Sequence, residues 1–392
     1  MTLQESVLKL EHHARARQYR GYDPYDALQS PLFKLPGLNS GTWIRQTFQT
    51  FLKRFPLNIR PLLLVPKGIN PVTLGLFIQG YAYLSVVFPE FREDFHLIIR
   101  ELADHLESLI PRRYSGACWG YDFDLETSYA SIPAYQPTIF ATGVITNGLY
   151  EAWKITRFRT LKELVISSSD FVSRDLNRTG EGEGFCFSTS PFDKEQNFRA
   201  CMKAVRLLSQ VYSITGATRL KQEADLAARF VVSHQHPDGS RVDSPKEQGR
   251  KALNHHTGSI LDCLDEYIRH CNAPSFDEHL YLGYEEYKNQ FILENGRPKL
   301  YSESIYPADC TAAAQSILTL TRFGDLDMAG KTARWTLAHM HSDDGGFYFR
   351  KFKHYTIKTP YMRWSNAWMF ASMGYLLMKE SLRDEKRPLV PG

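Results

Sequence analysis

The sequence predicts an all-α fold, an (α/α)6 toroid in which six helical hairpins form two concentric rings. Two observations carry this. Polar-faced helical segments alternate with apolar, small-residue-rich ones, the pattern of an outer ring facing water around a buried inner ring. A glycine turn and a short aromatic stretch precede each later apolar segment. The turns fall at Gly120, Gly184, Gly239, Gly296 and Gly346, in steps of 64, 55, 57 and 50 residues. Periods of that size mark repeat architectures. Two stacked helical subdomains and a seven-hairpin ring are the alternatives.

In chain order, residues 1–20 have the pattern of a charged leading helix. Residues 21–32 (GYDPYDALQSPL) have the Asp, Tyr and Pro content of turns. Residues 1–40 are therefore expected as an N-terminal extension of a single toroid domain spanning 1–392. Residues 43–55 place apolar side chains at helical spacing and are expected to be the outer partner of 70–88. The segment 70–88 opens with Asn70 as cap and Pro71 at the first helical position. It is apolar almost all round, as a helix in a bundle centre is. Further outer helices are expected near 91–110, 161–175, 220–234, 276–291 and 326–340. Their inner partners are expected near 137–156, 197–215, 255–270, 308–322 and 361–378. No period-2 strand pattern runs beyond the short arms.

Composition narrows the function. Hydrophobic residues make up 43% and charged residues 23%, as in a globular protein with a sizeable core. The net charge is +4, yet Lys and Arg form no block that would track a phosphate backbone, so nucleic acid is not an expected partner. No apolar run reaches the length of a membrane span, and the N-terminus lacks the apolar core of a signal peptide. A cytoplasmic protein is expected. The six cysteines form no C-x-x-C pair and read as reduced, buried thiols. Phosphate-binding loops, G-x-S-x-G elbows and H-E-x-x-H motifs are missing. No cofactor and no metal site is expected.

In a toroid the loops entering the inner helices meet at one mouth, so candidate site residues are sought there. The stretch CWGYDFDLETSYASIPAYQP supplies Asp122, Asp124 and Glu126 beside Trp119, Tyr121, Tyr135 and Gln136. On an extended arm the three acids share one face. They suit general acid or base work beside a stacking platform, and turn or cap roles explain them as well. His255 and His256 stand at a helix start, suited to proton transfer or to hydroxyl binding; capping and packing is the plainer reading. Tyr306 and Asp309 precede another inner helix, where Asp309 also suits the helix dipole. Asp309 beside Cys310 lacks the further ligands that a metal would need. The last stretch supplies Arg350, Lys358, Tyr361, Arg363, Trp364, Asn366 and Trp368. Arg forks suit carboxylates or phosphates, and Trp and Tyr rings suit a sugar face. A solvated basic arm and a Trp-rich core helix are the plainer alternative.

The runs DGGFYFRK, KTPYMRWSNAWMFASMGYLL, NHHTGSILDCLDEY, NPVTLGLFIQGY and GYDPYDALQSPL resemble bacterial and archaeal proteins of surface-polysaccharide gene clusters. Those look like members of the prenyltransferase-like and six-hairpin glycosidase toroids. The resemblance spans nearly the whole chain and supplies no catalytic residues to carry over. The D-x-D-D motif of terpenoid cyclases is missing, and the zinc ligands of prenyltransferases are not recognisable. What it implies is a carbohydrate-active protein of polysaccharide biosynthesis or modification, with an oligosaccharide or polysaccharide precursor as substrate and polysaccharide-assembly proteins as partners. The substrate expected is an oligosaccharide or a uronic-acid-containing chain, with hydrolysis, elimination and epimerisation all open. One of the three acids would pair with His255, His256 or Tyr306, Arg363 would hold a carboxylate, and Trp119 and Trp364 would stack on sugar rings. Two other readings compete: a non-catalytic sugar-binding or scaffold protein, and an enzyme acting on an isoprenoid or lipid-linked substrate.

Overall fold

The computed structural model describes residues 1–34, 41–126, 131–180, 184–241, 243–245 and 252–385. Its inner helices are α3 (Pro71–Val87), α5 (Ile139–Thr156), α7 (Phe198–Thr215), α9 (Asn254–Cys271), α11 (Cys310–Arg322) and α13 (Trp368–Glu385). They pack neighbour on neighbour, and α13 returns to α3, so the ring closes. The outer helices α4 (Arg92–Ser108), α6 (Arg159–Asp170), α8 (Thr218–Val232), α10 (Asp277–Phe291) and α12 (Leu326–Met340) each lie against the inner helix that precedes them. The chain has the (α/α)6 toroid that its sequence predicts.

One pairing differs from expectation. The sixth outer place is filled by α1 (Leu3–Arg15), which packs on α13 and α12 and puts Val7, Leu10 and Ala14 into the main core. Helix α2 (Thr42–Arg54) packs instead on the short helix Asp26–Gln29 and on the strand Leu125–Glu126. The leading helix is therefore part of the ring, and the ring joins the two ends of the chain. The turn before α13 reports the same thing. Gly345 has a left-handed φ of 92°, and a Cβ there would lie 2.6 Å from the Lys9 carbonyl oxygen of α1. A side chain at that position would separate the turn from the helix it rests on. Gly345, rather than Gly346, occupies the left-handed position. In the first repeat the glycine resting on the next outer helix is Gly116, beside the Ser167 carbonyl of α6, rather than Gly120.

Helix α3 is the hub. The Asn70 side chain accepts from the Val72 amide at its start, and Pro71 follows. Nearly every residue of α3 is buried, because α4, α5 and α13 surround it. It meets α5 closely at Gly148, where a Cβ would stand 2.2 Å from the Gly75 carbonyl oxygen. All six cysteines are free and buried. No helix among the described residues is long and apolar enough to cross a membrane.

The short arms form antiparallel ladders. β1 (Leu125–Glu126) pairs with β2 (Ser131–Ile132), and β3 (Arg178–Thr179) with β4 (Cys186–Phe187). β5 (Ala308–Asp309), β6 (Arg350–Lys351) and β7 (Thr356–Ile357) make a three-stranded sheet with Asp309 opposite Arg350.

Candidate active site at the toroid mouth

A cavity of about 590 Å³ opens where the N-terminal turns of the inner helices converge. Val72, Val144, Lys203, His255, Gln315 and Trp368 reach it from six different inner helices. Helix α2 adds Gln46, Gln49, Lys53 and Arg54. That helix is tied across the mouth by polar contacts. Arg45 Nε donates to Glu126 Oε2 at 2.8 Å, and Gln49 Nε2 donates to the carbonyls of Tyr25 and Asp124 at 3.2 and 3.1 Å.

Aromatic faces form part of the wall. Tyr121 and Phe123 are stacked with centroids 5.3 Å apart and planes within 1° of parallel. Trp364 touches both Tyr25, at 5.6 Å, and His255, at 5.8 Å. Such rings present an apolar face with polar edges, as sugar rings do.

Charge is the second feature. Glu126 is the one carboxylate among the described lining residues, and Arg45 already pairs with it. Arg363 is clamped by buried Asp23 at 2.6 and 2.8 Å, so two of its donors are already used. Arg350 pairs with Asp309. Lys53, Arg199 and Lys203 line the cavity with no carboxylate partner among the described residues. Arg199 lies 4.3 Å over the Phe140 ring and keeps a buried Nε without a partner. Lys203 Nζ donates to Ser259 Oγ at 3.0 Å. Burial lowers the Lys203 pKa to about 8.

Two groups of the lining have displaced pKa values. Burial holds the His255 imidazolium well below its ordinary range, with His256, Arg199, Arg350 and Lys53 adding repulsion, so His255 is neutral at pH 7. Its Nδ1 is buried and has no partner. For the Tyr25 phenol, burial pushes upward, but Lys53, Arg350 and Arg363 outweigh it, and the net shift is downward. Lys53 Nζ donates to Tyr25 Oη at 2.5 Å. The adjacent His256 is turned to Asp243, whose carboxyl it holds below the usual range despite burial.

Of the residues expected from sequence, Tyr121, Glu126, His255, His256, Arg350, Arg363, Trp364 and Trp368 line this cavity. The others do not, each for a visible reason. Trp119 is core, its Nε1 donating to the Leu106 carbonyl at 2.8 Å. Asp122 is buried behind the wall, accepting from Asn70 Nδ2 at 2.6 Å. Asp124 accepts from the Ala134 amide and leans to Arg45. Tyr135 is exposed on a left-handed turn, and Gln136 accepts from Arg113 and Tyr114. Tyr306 stacks under Arg297, 4.2 Å from its ring. Asp309 caps α11, accepting from the Thr311 amide at 3.0 Å, so its oxygens serve the helix and Arg350. Tyr361 is buried beneath Arg60, Asn366 accepts from the Phe347 amide, and Lys358 is exposed on the β6–β7 hairpin.

Sequence reading missed Tyr25, Lys53, Arg199 and Lys203. For α7 a signal existed: Arg199, Lys203 and Arg206 recur at helical spacing on an otherwise apolar inner helix. Charges on such a helix must face the lumen, because every other face is packed. Tyr25 carried no such signal, since only the tertiary fold brings the turn 21–32 under α2.

No protein-family model and no curated protein sequence matches this chain. Solved structures do. The cellobiose 2-epimerase from Bacillus thermoamylovorans B4167 superposes with a TM-score of 0.57 at 9% identity, over 79% of this chain and 88% of its own. A family 76 glycoside hydrolase from a bovine Bacteroides thetaiotaomicron strain gives 0.60 at 10%, over 98% and 78%. A D-mannose isomerase gives 0.53 at 11%, over 80% and 87%. At these identities the likeness is one of fold, and it sets the chain among the (α/α)6 toroids.

Proposed function

We propose that this chain is a carbohydrate-active enzyme, a single toroid domain whose cavity binds an anionic sugar, such as a uronic-acid-containing oligosaccharide, and moves protons on it. One observation carries the reading. The described lining offers a single, already paired carboxylate, Glu126, against the cations Lys53, Arg199 and Lys203 and the proton-transfer groups Tyr25 and His255. Hydrolysis by the usual route uses two carboxyls, roughly 5 to 10 Å apart across the bond. Elimination or epimerisation beside a carboxylate uses a base, an acid and cations that stabilise the enolate-like charge. Tyr25, with Lys53 at its oxygen, supplies one proton-transfer group, and neutral His255 supplies the other. Arg199 and Lys203 hold the substrate carboxylate, while Trp364 and the Tyr121–Phe123 pair stack on sugar faces. Solved toroids named as an epimerase and an isomerase fit this reading, and the hydrolase among them keeps the other one in the test. The surface-polysaccharide resemblance supports a cytoplasmic role beside polysaccharide-assembly proteins.

The test incubates the protein with oligouronides and with neutral gluco- and manno-oligosaccharides in D2O, followed by NMR. Deuterium entering the uronide, or an unsaturated product, is expected. Tyr25→Phe should lower that turnover by about 100-fold or more with an unchanged melting temperature. Cleavage of a neutral oligosaccharide that is lost in Glu126→Gln would replace this reading with hydrolysis. Saturable binding with no turnover would favour a sugar-binding scaffold.

A further inference from the structure

We propose that the strap formed by α2 and residues 55–67, with the neighbouring β6–β7 hairpin, docks on an anionic phospholipid surface and holds the cavity mouth at a bilayer. The strap has two faces. Gln46, Gln49 and Lys53 of α2 look into the cavity, and Leu52, Ile59, Leu63 and Val65 pack inward around Ala27. The opposite side is open. On α2 the exposed residues Trp43, Thr47 and Phe51 recur at helical spacing. Trp43 is 76% exposed, and beyond the helix Leu57, Leu62 and Leu64 are 70%, 81% and 64% exposed. Six of the sixteen exposed large hydrophobic side chains among the described residues fall within 32–64, so exposed apolar surface is concentrated on this one segment. Leu64 is held outward in a left-handed conformation, φ 54°, below the Arg60–Val65 backbone hydrogen bond of 3.0 Å.

Charge selects the partner. Residues 27–89 and 345–379 contain no Asp or Glu. These two stretches meet through Tyr22, which packs both on the core under the strap and on the Phe349, Ile357 and Tyr361 cluster, against which Phe352 of the hairpin also packs. The strap carries exposed Lys67, with Arg54 at the rim of the cavity, and the hairpin carries exposed Lys353 and Lys358, with Tyr355 at its tip. Trp, Phe and Leu flanked by cations is the composition of a segment that lies in a membrane interface. Anionic headgroups attract such cations. A second copy of this chain fits less well, because a two-fold contact through this face would set these cations against their own copies.

The proposal goes beyond the sugar reading and is tested without any glycan, so its failure leaves the cavity reading standing. The full chain is floated with phosphatidylcholine vesicles and with phosphatidylglycerol-rich vesicles. Co-flotation with the anionic vesicles that weakens as salt rises is expected. The variant Trp43→Ser/Leu57→Ser/Leu62→Ser should lose about tenfold or more in vesicle affinity while keeping its melting temperature. Lys353→Glu/Lys358→Glu should weaken binding to the anionic vesicles. The proposal is overturned if the wild type stays unbound at low salt or if the triple variant floats as well as the wild type. It is equally overturned if sedimentation shows a dimer that the triple variant breaks, since a second copy then covers the patch.

Discussion

At the scale of single residues, the carboxyls near the mouth behave unlike one another. Glu126 faces the cavity with Arg45 as partner. Asp122, four positions earlier, is sealed behind the wall. Burial, with the nearby Asp23 charge adding to it, raises its pKa from 3.8 to about 6. A carboxyl whose pKa is higher folded than unfolded adds stability below about pH 4. That contribution fades as pH rises through 6. A shift of about two pKa units corresponds to about 3 kcal/mol between those limits. Asp122→Asn removes the titration and keeps the shape. Thermal melts from pH 4 to 7 should show the variant falling less steeply than the wild type, and more stable than it at pH 7. Equal slopes would mean that Asp122 is charged in the folded protein.

At the scale of elements, neighbouring inner helices are joined by polar side chains as well as by apolar packing. Arg322 of α11 donates to Glu266 Oε1 at 2.7 Å and to Asp265 Oδ2 at 3.2 Å, both on α9. Gln210 of α7 donates to the other Glu266 oxygen at 2.6 Å. Burial pushes the Glu266 carboxyl up, but Arg322, His270 and Arg206 outweigh it, so it stays charged. Removing one partner of such a group leaves an uncompensated buried charge, which costs more than the pair itself contributes. Arg322→Met should therefore destabilise the protein by about 3–5 kcal/mol, read as a fall in the urea midpoint. A loss within experimental error would show that water reaches these carboxylates.

At the scale of the whole molecule, the ring is closed by the two ends of the chain. Among the described residues no outer helix follows α13, and α1 packs on it and supplies that layer. Leu10 is fully buried in this contact. Leu10→Ala should cost about 2–5 kcal/mol, seen as a lower denaturation midpoint for the whole toroid. If residues 1–40 were an appended extension, the same substitution would leave the main transition unchanged.

Much of the fold was legible because helical periodicity is local. The all-apolar segment that became α3 had to be surrounded by other helices, and Asn70 with Pro71 marked its start. The glycine turns gave the repeat, since a backbone pressed against the next helix tolerates no side chain. His255, Trp364, Arg363 and Glu126 were placed at the mouth by their position before inner helices, and that is where they stand. Which groups are free to act was decided only in three dimensions. Asp23 lies 340 positions from Arg363 and takes up two of its donors. The turn 21–32 gains Tyr25 its Lys53 partner only when α2 crosses the mouth. Local sequence sets the helical period and the burial of each face. Partners far apart in the chain set charge compensation, and that is a property of the closed ring.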